Sequence, residues 1–333
     1  MIHEPNHAFM VDEIVDDLKA LYVRTDVRDG AVKTHLDHVL RKDEQGNLLA
    51  EPIRFARGKE TRGIIVVDGS GGGKTTIIER ALEKLPALQA AGEEEVPSFL
   101  KVTVPSPATL KSLGQEVLEV LGYPGKMSRA TSWDIWATVR RQLANRGTAV
   151  VWIDEANHLF RSENRTEIQD ILNTLKSLMQ GKHPVIVVLS GIAALWEIVA
   201  FDAQITRRFS KLEFPPVTQA TDGLLFRSIV ETLCARAGIE PPEAADLVGR
   251  LMHASRYRFG RCIDTTIMAI KEALLEGHNR LDLQHFAEYW ARTENCAPEK
   301  NVFLVPNWSR IELEPEEKDE PGVAKKSRAR RGR

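Results

Sequence analysis

Residues 69–76 read Gly69-Ser70-Gly71-Gly72-Gly73-Lys74-Thr75-Thr76, directly after the apolar run Ile64-Ile65-Val66-Val67 and directly before the helical pattern of 77–82. A buried strand, a glycine loop, a Lys-Thr pair and a helix are the parts of a triphosphate cradle. Lacking side chains, the glycines let several backbone N–H groups point at the β- and γ-phosphates. The helix that begins near Lys74 adds its N-terminal dipole, and the Lys74 ammonium reaches the same phosphates. The Thr75 hydroxyl is placed to ligate Mg²⁺. One position departs from the usual pattern, which opens with glycine: this chain has Asp68 there. A ligand-free β-to-α turn has no use for a Lys-Thr pair, so the segment predicts a nucleoside triphosphate site.

The surrounding pattern agrees. From Arg62 to Phe214 short apolar runs alternate with amphipathic helices, the signature of a wound parallel sheet with helices on both faces. The five expected strands are 62–67, 98–104, 148–153, 184–190 and 210–214, with helices near 75–86, 107–121, 132–145 and 166–180. Pro215-Pro216 favours extended backbone and marks a boundary. Beyond it, 218–293 reads as four helices, near 221–237, 242–254, 260–276 and 282–292. The expected organisation is a front piece at 1–60 (helical spacing at 11–21 and 32–40, then a hairpin tip), an α/β domain at 61–216, an α-helical domain at 217–300 and a tail at 301–333. That tail is acidic, then strongly basic from Lys325, and is expected to be disordered from about 312 for want of apolar content.

A net charge of -2 gives no global attraction to nucleic acid, so any DNA contact must come from local patches. Three scattered cysteines, with no basic-then-apolar N-terminus, read as reduced thiols in a soluble, cytoplasmic protein. The longest apolar stretch, 184–196, is too short to span a bilayer.

Val150-Val151-Trp152-Ile153-Asp154-Glu155 is an apolar strand ending in two carboxylates. With Lys74 and Thr75 upstream, Asp154 is expected to hold Mg²⁺ and Glu155 to polarise the attacking water, which points to hydrolysis rather than binding alone. The next strand ends at Ser190, either a contact to the γ-phosphate or water, or a turn former. Arg207-Arg208 precedes the last strand, where one of them could reach a neighbouring subunit's γ-phosphate; the alternative is a solvated pair or a bridge to Asp202. Arg261, after Gly260 at a helix start, could lie over the phosphates, face DNA or be solvated. His158 has no second metal-binding residue beside it and reads as a hydrogen-bonding turn residue.

In order, these features resemble the AAA+ ATPases: α/β with a P-loop, a wound five-stranded parallel sheet and a small α-helical lid. Within that class, Val102-Thr103-Val104-Pro105-Ser106-Pro107, Leu121-Gly122-Tyr123-Pro124, Asp154-Glu155-Ala156-Asn157-His158-Leu159, Leu172-Asn173-Thr174-Leu175-Lys176 and Asp202 to Phe209 resemble the TniB/TnsC family of ATP-dependent transposition regulators. The resemblance implies ATP and Mg²⁺ as cofactors, self-assembly into a ring or helical filament on duplex DNA, recruitment of a DDE transposase, and contact with a target-selector protein. Phosphate contacts would need a basic row. Lys101 and Lys111 are candidates, with Arg129, Arg140 and Arg141 behind them; each could equally be a solvated charge. Two rivals stand beside this reading: a helicase loader of the IstB/DnaC kind, and a monomeric, DNA-independent signalling NTPase.

Overall fold

The structure, a computed structural model, describes residues 5–90, 96–125, 127, 129–161 and 164–313. The basic tail expected to be disordered lies outside the described residues. Contacts divide the chain into two units. A sheet unit takes 26–69 and 74–213; a helical unit takes the residues up to 25, the loop tip 70–73, and the chain from 214 onward.

The chain opens with α1 (Pro5–Ala20) of the helical unit. The sheet unit follows with α2 (Asp26–Val39) and an antiparallel hairpin, β1 (Leu40–Lys42) and β2 (Leu48–Pro52). Then come β3 (Gly63–Val67), α3 (Lys74–Glu83), β4 (Phe99–Thr103), α4 (Leu110–Val120) and α5 (Ser132–Asn145). The unit closes with β5 (Val150–Asp154), α6 (Arg165–Leu178), β6 (Ile186–Gly191), α7 (Ala193–Ala200), α8 (Ala203–Thr206) and β7 (Phe209–Glu213). The other five strands form one parallel sheet in the order β4-β5-β6-β3-β7. Strands β3, β5 and β6 are buried at every position, which is why they read as unbroken apolar runs rather than alternating ones.

Side-chain alternation gives the sheet two covered faces. Ile65, Val67, Val151, Ile153, Val187 and Leu189 pack with α4, α5 and α6 in one core. Ile64, Val66, Val188 and Leu212 meet Val32 and Leu36 of α2 and Ile78 and Leu82 of α3 on the other. The register sets Val66 against Ser190 and Ile153 against Leu189. The carboxyl ends of the central strands therefore finish together, where open α/β sheets bind ligands.

The first 60 residues, read in sequence as one front piece, divide between the units. Val11, Val15 and Leu18 of α1 enter the helical core, whereas α2 covers the sheet. Helix α2 starts at Asp26 rather than at 32, with Asp26 and Asp29 in the first turn, where the helix dipole favours acids. Helices α7 and α8 were not expected; they are too short for a periodic pattern to register.

The helical unit adds α9 (Gln219–Ala237), α10 (Leu247–Ala254), α11 (Phe259–Leu275) and α12 (Leu283–Glu294). Thr218 caps α9 by accepting the Thr221 N–H, and Gly238 ends it at φ 73°. Residues just past 300, assigned to the tail from sequence, reach the core: Val302 and Phe303 are buried, and Phe303 stacks on Phe286 at 5.2 Å. The Arg250 guanidinium holds that segment by donating to the carbonyls of Val302 and Val305 at 2.7 and 2.8 Å.

Candidate functional site

The glycine loop turns at two positions of positive φ, Gly71 (73°) and Gly73 (89°), which glycine adopts without steric cost. Position 68 has no positive φ, so aspartate fits where the usual pattern has glycine. The Asp68 carboxylate accepts the Gly69 N–H at 2.7 Å and the Arg28 guanidinium at 3.2 Å. Arg28 lies on α2, and both side chains are nearly buried. No signal near 68 could have named that partner from sequence.

The Lys74 ammonium is buried and donates to the carbonyls of Asp68 and Gly69, each at 3.2 Å. Thr75 donates its hydroxyl to Asp154 Oδ2 at 2.8 Å. Asp154 is 4% exposed, and its Oδ1 also accepts from the Ser190 hydroxyl at 2.6 Å and from the Glu155 N–H at 3.0 Å. Ser190 in turn accepts from Trp152 Nε1 at 2.7 Å. The Ser190 hydroxyl thus serves the carboxylate and orients it. Thr75 and Asp154 bring hard oxygen donors together from two chain segments, a set suited to Mg²⁺.

Glu155 behaves differently from its neighbour. Its backbone sits in the left-handed region (φ 54°, ψ 37°), and its side chain is 42% exposed with the carboxylate 3.6 Å from His158 Nε2. A non-glycine residue held there costs about 1–2 kcal/mol, and such outliers cluster at functional sites. Asn157, missed in sequence, is buried and accepts the Ile192 N–H at 3.3 Å, bracing the ends of β5 and β6.

Both arginines before β7 meet Glu60, Arg208 at 2.7 Å and Arg207 at 3.3 Å. Arg208 is 7% exposed in its side chain and Arg207 is 62% exposed. Arg208 Nε and Nη1 are buried without a hydrogen-bond partner. Asp202, expected as a possible partner, instead caps α8 and pairs with Lys176 at 3.2 Å. Burial pushes its carboxyl pKa up, but hydrogen bonds from Gln169, Lys176 and the N–H groups of Ile205 and Gln204 outweigh that and hold it below the usual range.

In the helical unit, the Arg261 N–H donates to the Gly71 carbonyl at 2.9 Å, and its side chain lies over Gly71. Gly260 permits this approach, since a Cβ there would come within 2.6 Å of the Gly71 carbonyl oxygen. The turn before α11 is built on two left-handed residues, Arg256 and Tyr257, and Arg256 is anchored by two 2.8 Å bonds to Glu294. Ser70, Gly71 and Thr76 are exposed, and Gly72 is buried.

The expected basic row is less uniform. Lys101 bonds Glu79 at 2.7 Å and stands 4.8 Å from the Trp152 ring centroid. Arg140 donates to Ser177, Lys111 is half-buried on α4, and Arg129 and Arg141 are exposed. Burial pushes the Cys234 and Cys262 thiols up to about 12, so neither is a nucleophile. Among the described residues no helix is long and apolar enough to cross a membrane.

Comparison with known proteins places this geometry. The family described as Bacterial TniB protein matches residues 41–219, more than half of the chain. No curated protein matches. Among solved structures, the Aeropyrum pernix ORC1 protein in complex with DNA is similar at TM-score 0.57 and 16% identity, covering 84% of this chain and 69% of that one. Pyrobaculum aerophilum CDC6P gives TM-score 0.57 at 13% identity (85% and 70% covered), and the Aeropyrum pernix ORC2 protein 0.54 at 14% (84% and 72%). These likenesses show the P-loop AAA+ fold. The chain belongs to the TniB family.

Proposed function

We propose that this TniB-family AAA+ protein binds Mg-ATP, assembles side by side on duplex DNA and hands the chosen site to a DDE transposase, with slow ATP hydrolysis taking the assembly apart. The observation that carries the nucleotide chemistry is the Asp154 carboxylate, buried and fixed by Thr75, Ser190 and the Glu155 N–H. Lys74 and the loop N–H groups would hold the phosphates, and Thr75 and Asp154 would hold Mg²⁺. When bound, that ion offsets the phosphate charge. Glu155, exposed beside the fixed aspartate, takes the proton of the attacking water. Ser190 acts as a positioning residue through Asp154. Arg261, whose side chain lies over Gly71 of the same unit, would add a positive charge at the tip of the glycine loop.

Arg207 rather than Arg208 is the arginine offered to a neighbouring subunit, because its guanidinium is the exposed one. The similar ORC1 protein was solved in complex with DNA, which supports DNA as a partner. Lys111, Arg129 and Arg141 would supply phosphate contacts, while Lys101 is drawn off by Glu79.

Sedimentation and negative-stain imaging with ATP or a slowly hydrolysed analogue, with and without duplex DNA, test this reading. Rings or filaments that require both nucleotide and DNA are expected. A monomer under every condition would overturn it in favour of a signalling switch. Assembly on nucleotide alone, indifferent to DNA, would point to a helicase loader.

A further inference from the structure

We infer that Glu276, His278 and His285 form a binding site for a divalent transition-metal ion of the Zn²⁺ class, clamping the turn between α11 and α12. Glu276 caps the end of α11, His278 lies in the turn, and His285 is in the first turn of α12. Their ligand atoms already form a triangle. His278 Nδ1 is 2.8 Å from His285 Nε2 and 3.2 Å from Glu276 Oε2, and His285 Nε2 is 3.5 Å from that same oxygen. An ion bound tetrahedrally at about 2.0–2.1 Å sets its donors about 3.3 Å apart, so these edges bracket one face of such a site.

The surroundings supply what metal-binding histidines need. The His285 side chain is 1% exposed, which fixes the direction of its Nε2. Its other nitrogen, Nδ1, is 3.1 Å from the Asp282 N–H and 3.3 Å from Asp282 Oδ1. While Nδ1 accepts from that N–H, Nε2 carries the proton and donates it to His278. A metal would take the Nε2 lone pair. The imidazole then stays neutral by losing the Nε2 proton and carrying one on Nδ1, donated to the Asp282 carboxylate, the partner metal-bound histidines commonly have. Two imidazoles with a carboxylate favour Zn²⁺ or Co²⁺ over Mg²⁺ or Ca²⁺. Glu276 and His278 are exposed, which leaves an entry path and a coordination position open to water.

The test is titration of the untagged full chain, free of nucleotide, with Co²⁺ by visible absorption and with Zn²⁺ by thermal unfolding. One Co²⁺ per chain with a tetrahedral absorption band, displaced by Zn²⁺, is expected, and Zn²⁺ raises Tm until a chelator is added. His278→Ala and Glu276→Gln, both at exposed positions that leave the fold intact by circular dichroism, should each weaken binding at least about tenfold. His35→Ala should bind as wild type. Absence of a tetrahedral band in the wild-type chain, or equal affinity in the wild type, His278→Ala and Glu276→Gln, would overturn the site.

Discussion

Asp154-Glu155 at the end of β5 and Arg207-Arg208 at the start of β7 are both consecutive pairs of like charge, and each pair is split between interior and surface. Asp154 and Arg208 are buried; Glu155 and Arg207 have side chains 42% and 62% exposed. The buried members are not equally settled. Asp154 accepts three hydrogen bonds, whereas Arg208 has one carboxylate, with its buried Nε and Nη1 unmatched. A buried charge with full partners is a fixed reference point, while one with partial partners holds its place at a cost in stability. The acidic pair therefore has a fully partnered interior member, and the basic pair an under-partnered anchor beside an exposed arginine that shares its carboxylate, Glu60.

The largest expected effect breaks the acidic pair at its exposed member. Glu155→Gln should lower ATP turnover by about 10²–10⁴-fold with nucleotide affinity unchanged. Single-turnover assays and nucleotide titration check this; wild-type turnover would remove Glu155 from the chemistry. In the basic pair the interior member should dominate stability. Arg208→Ala leaves Glu60 short of a partner and should cost about 3 kcal/mol in urea unfolding, while Arg207→Ala should stay within about 0.5 kcal/mol. Equal losses would erase the contrast between them.

Ser190→Ala strands the Trp152 N–H and removes one of the two hydrogen bonds to Asp154 Oδ1, for an expected loss of about 1–3 kcal/mol and a higher Mg²⁺ requirement for nucleotide binding. Glu155→Gly should do the reverse for folding, adding about 1 kcal/mol by relieving the left-handed backbone while abolishing turnover. The smallest effect concerns the cap that precedes Arg207. The Asp202 carboxyl has its pKa lowered in the folded chain, so its stabilisation is present at neutral pH and is lost as pH falls through that lowered value. The stability gap between wild type and Asp202→Asn, measured by urea unfolding, should therefore shrink on acidification below the ordinary carboxylate range.

What could be read from sequence was local. The strand, loop and helix around Lys74, and the strand ending in Asp154-Glu155, are each continuous in the chain, where apolar runs and glycine spacing speak directly. The pairing of Arg28 with Asp68 and of Glu60 with Arg208 spans many residues and follows from strand order, which periodicity does not encode. The same limit hid the parting of α1 from α2, since both carry apolar residues at helical spacing and nothing local says which core each enters. The left-handed turn at Glu155 was also invisible, because no glycine or asparagine marks it. Ser190 was legible as a polar strand end, but its partner Trp152 lies on the adjacent strand, where the register sets it against Val188, two residues before Ser190.

We propose above all that the two exposed members, Glu155 and Arg207, belong to one catalytic site shared by neighbouring subunits. Mixing Glu155→Gln with Arg207→Ala chains in the presence of ATP and duplex DNA tests it most directly. Each variant alone should be inactive. In an equal mixture about a quarter of the interfaces would join an intact Glu155 to an intact Arg207, so turnover should return to roughly that fraction of wild type. A mixture as inactive as its components, under conditions where both variants assemble, would contradict the account.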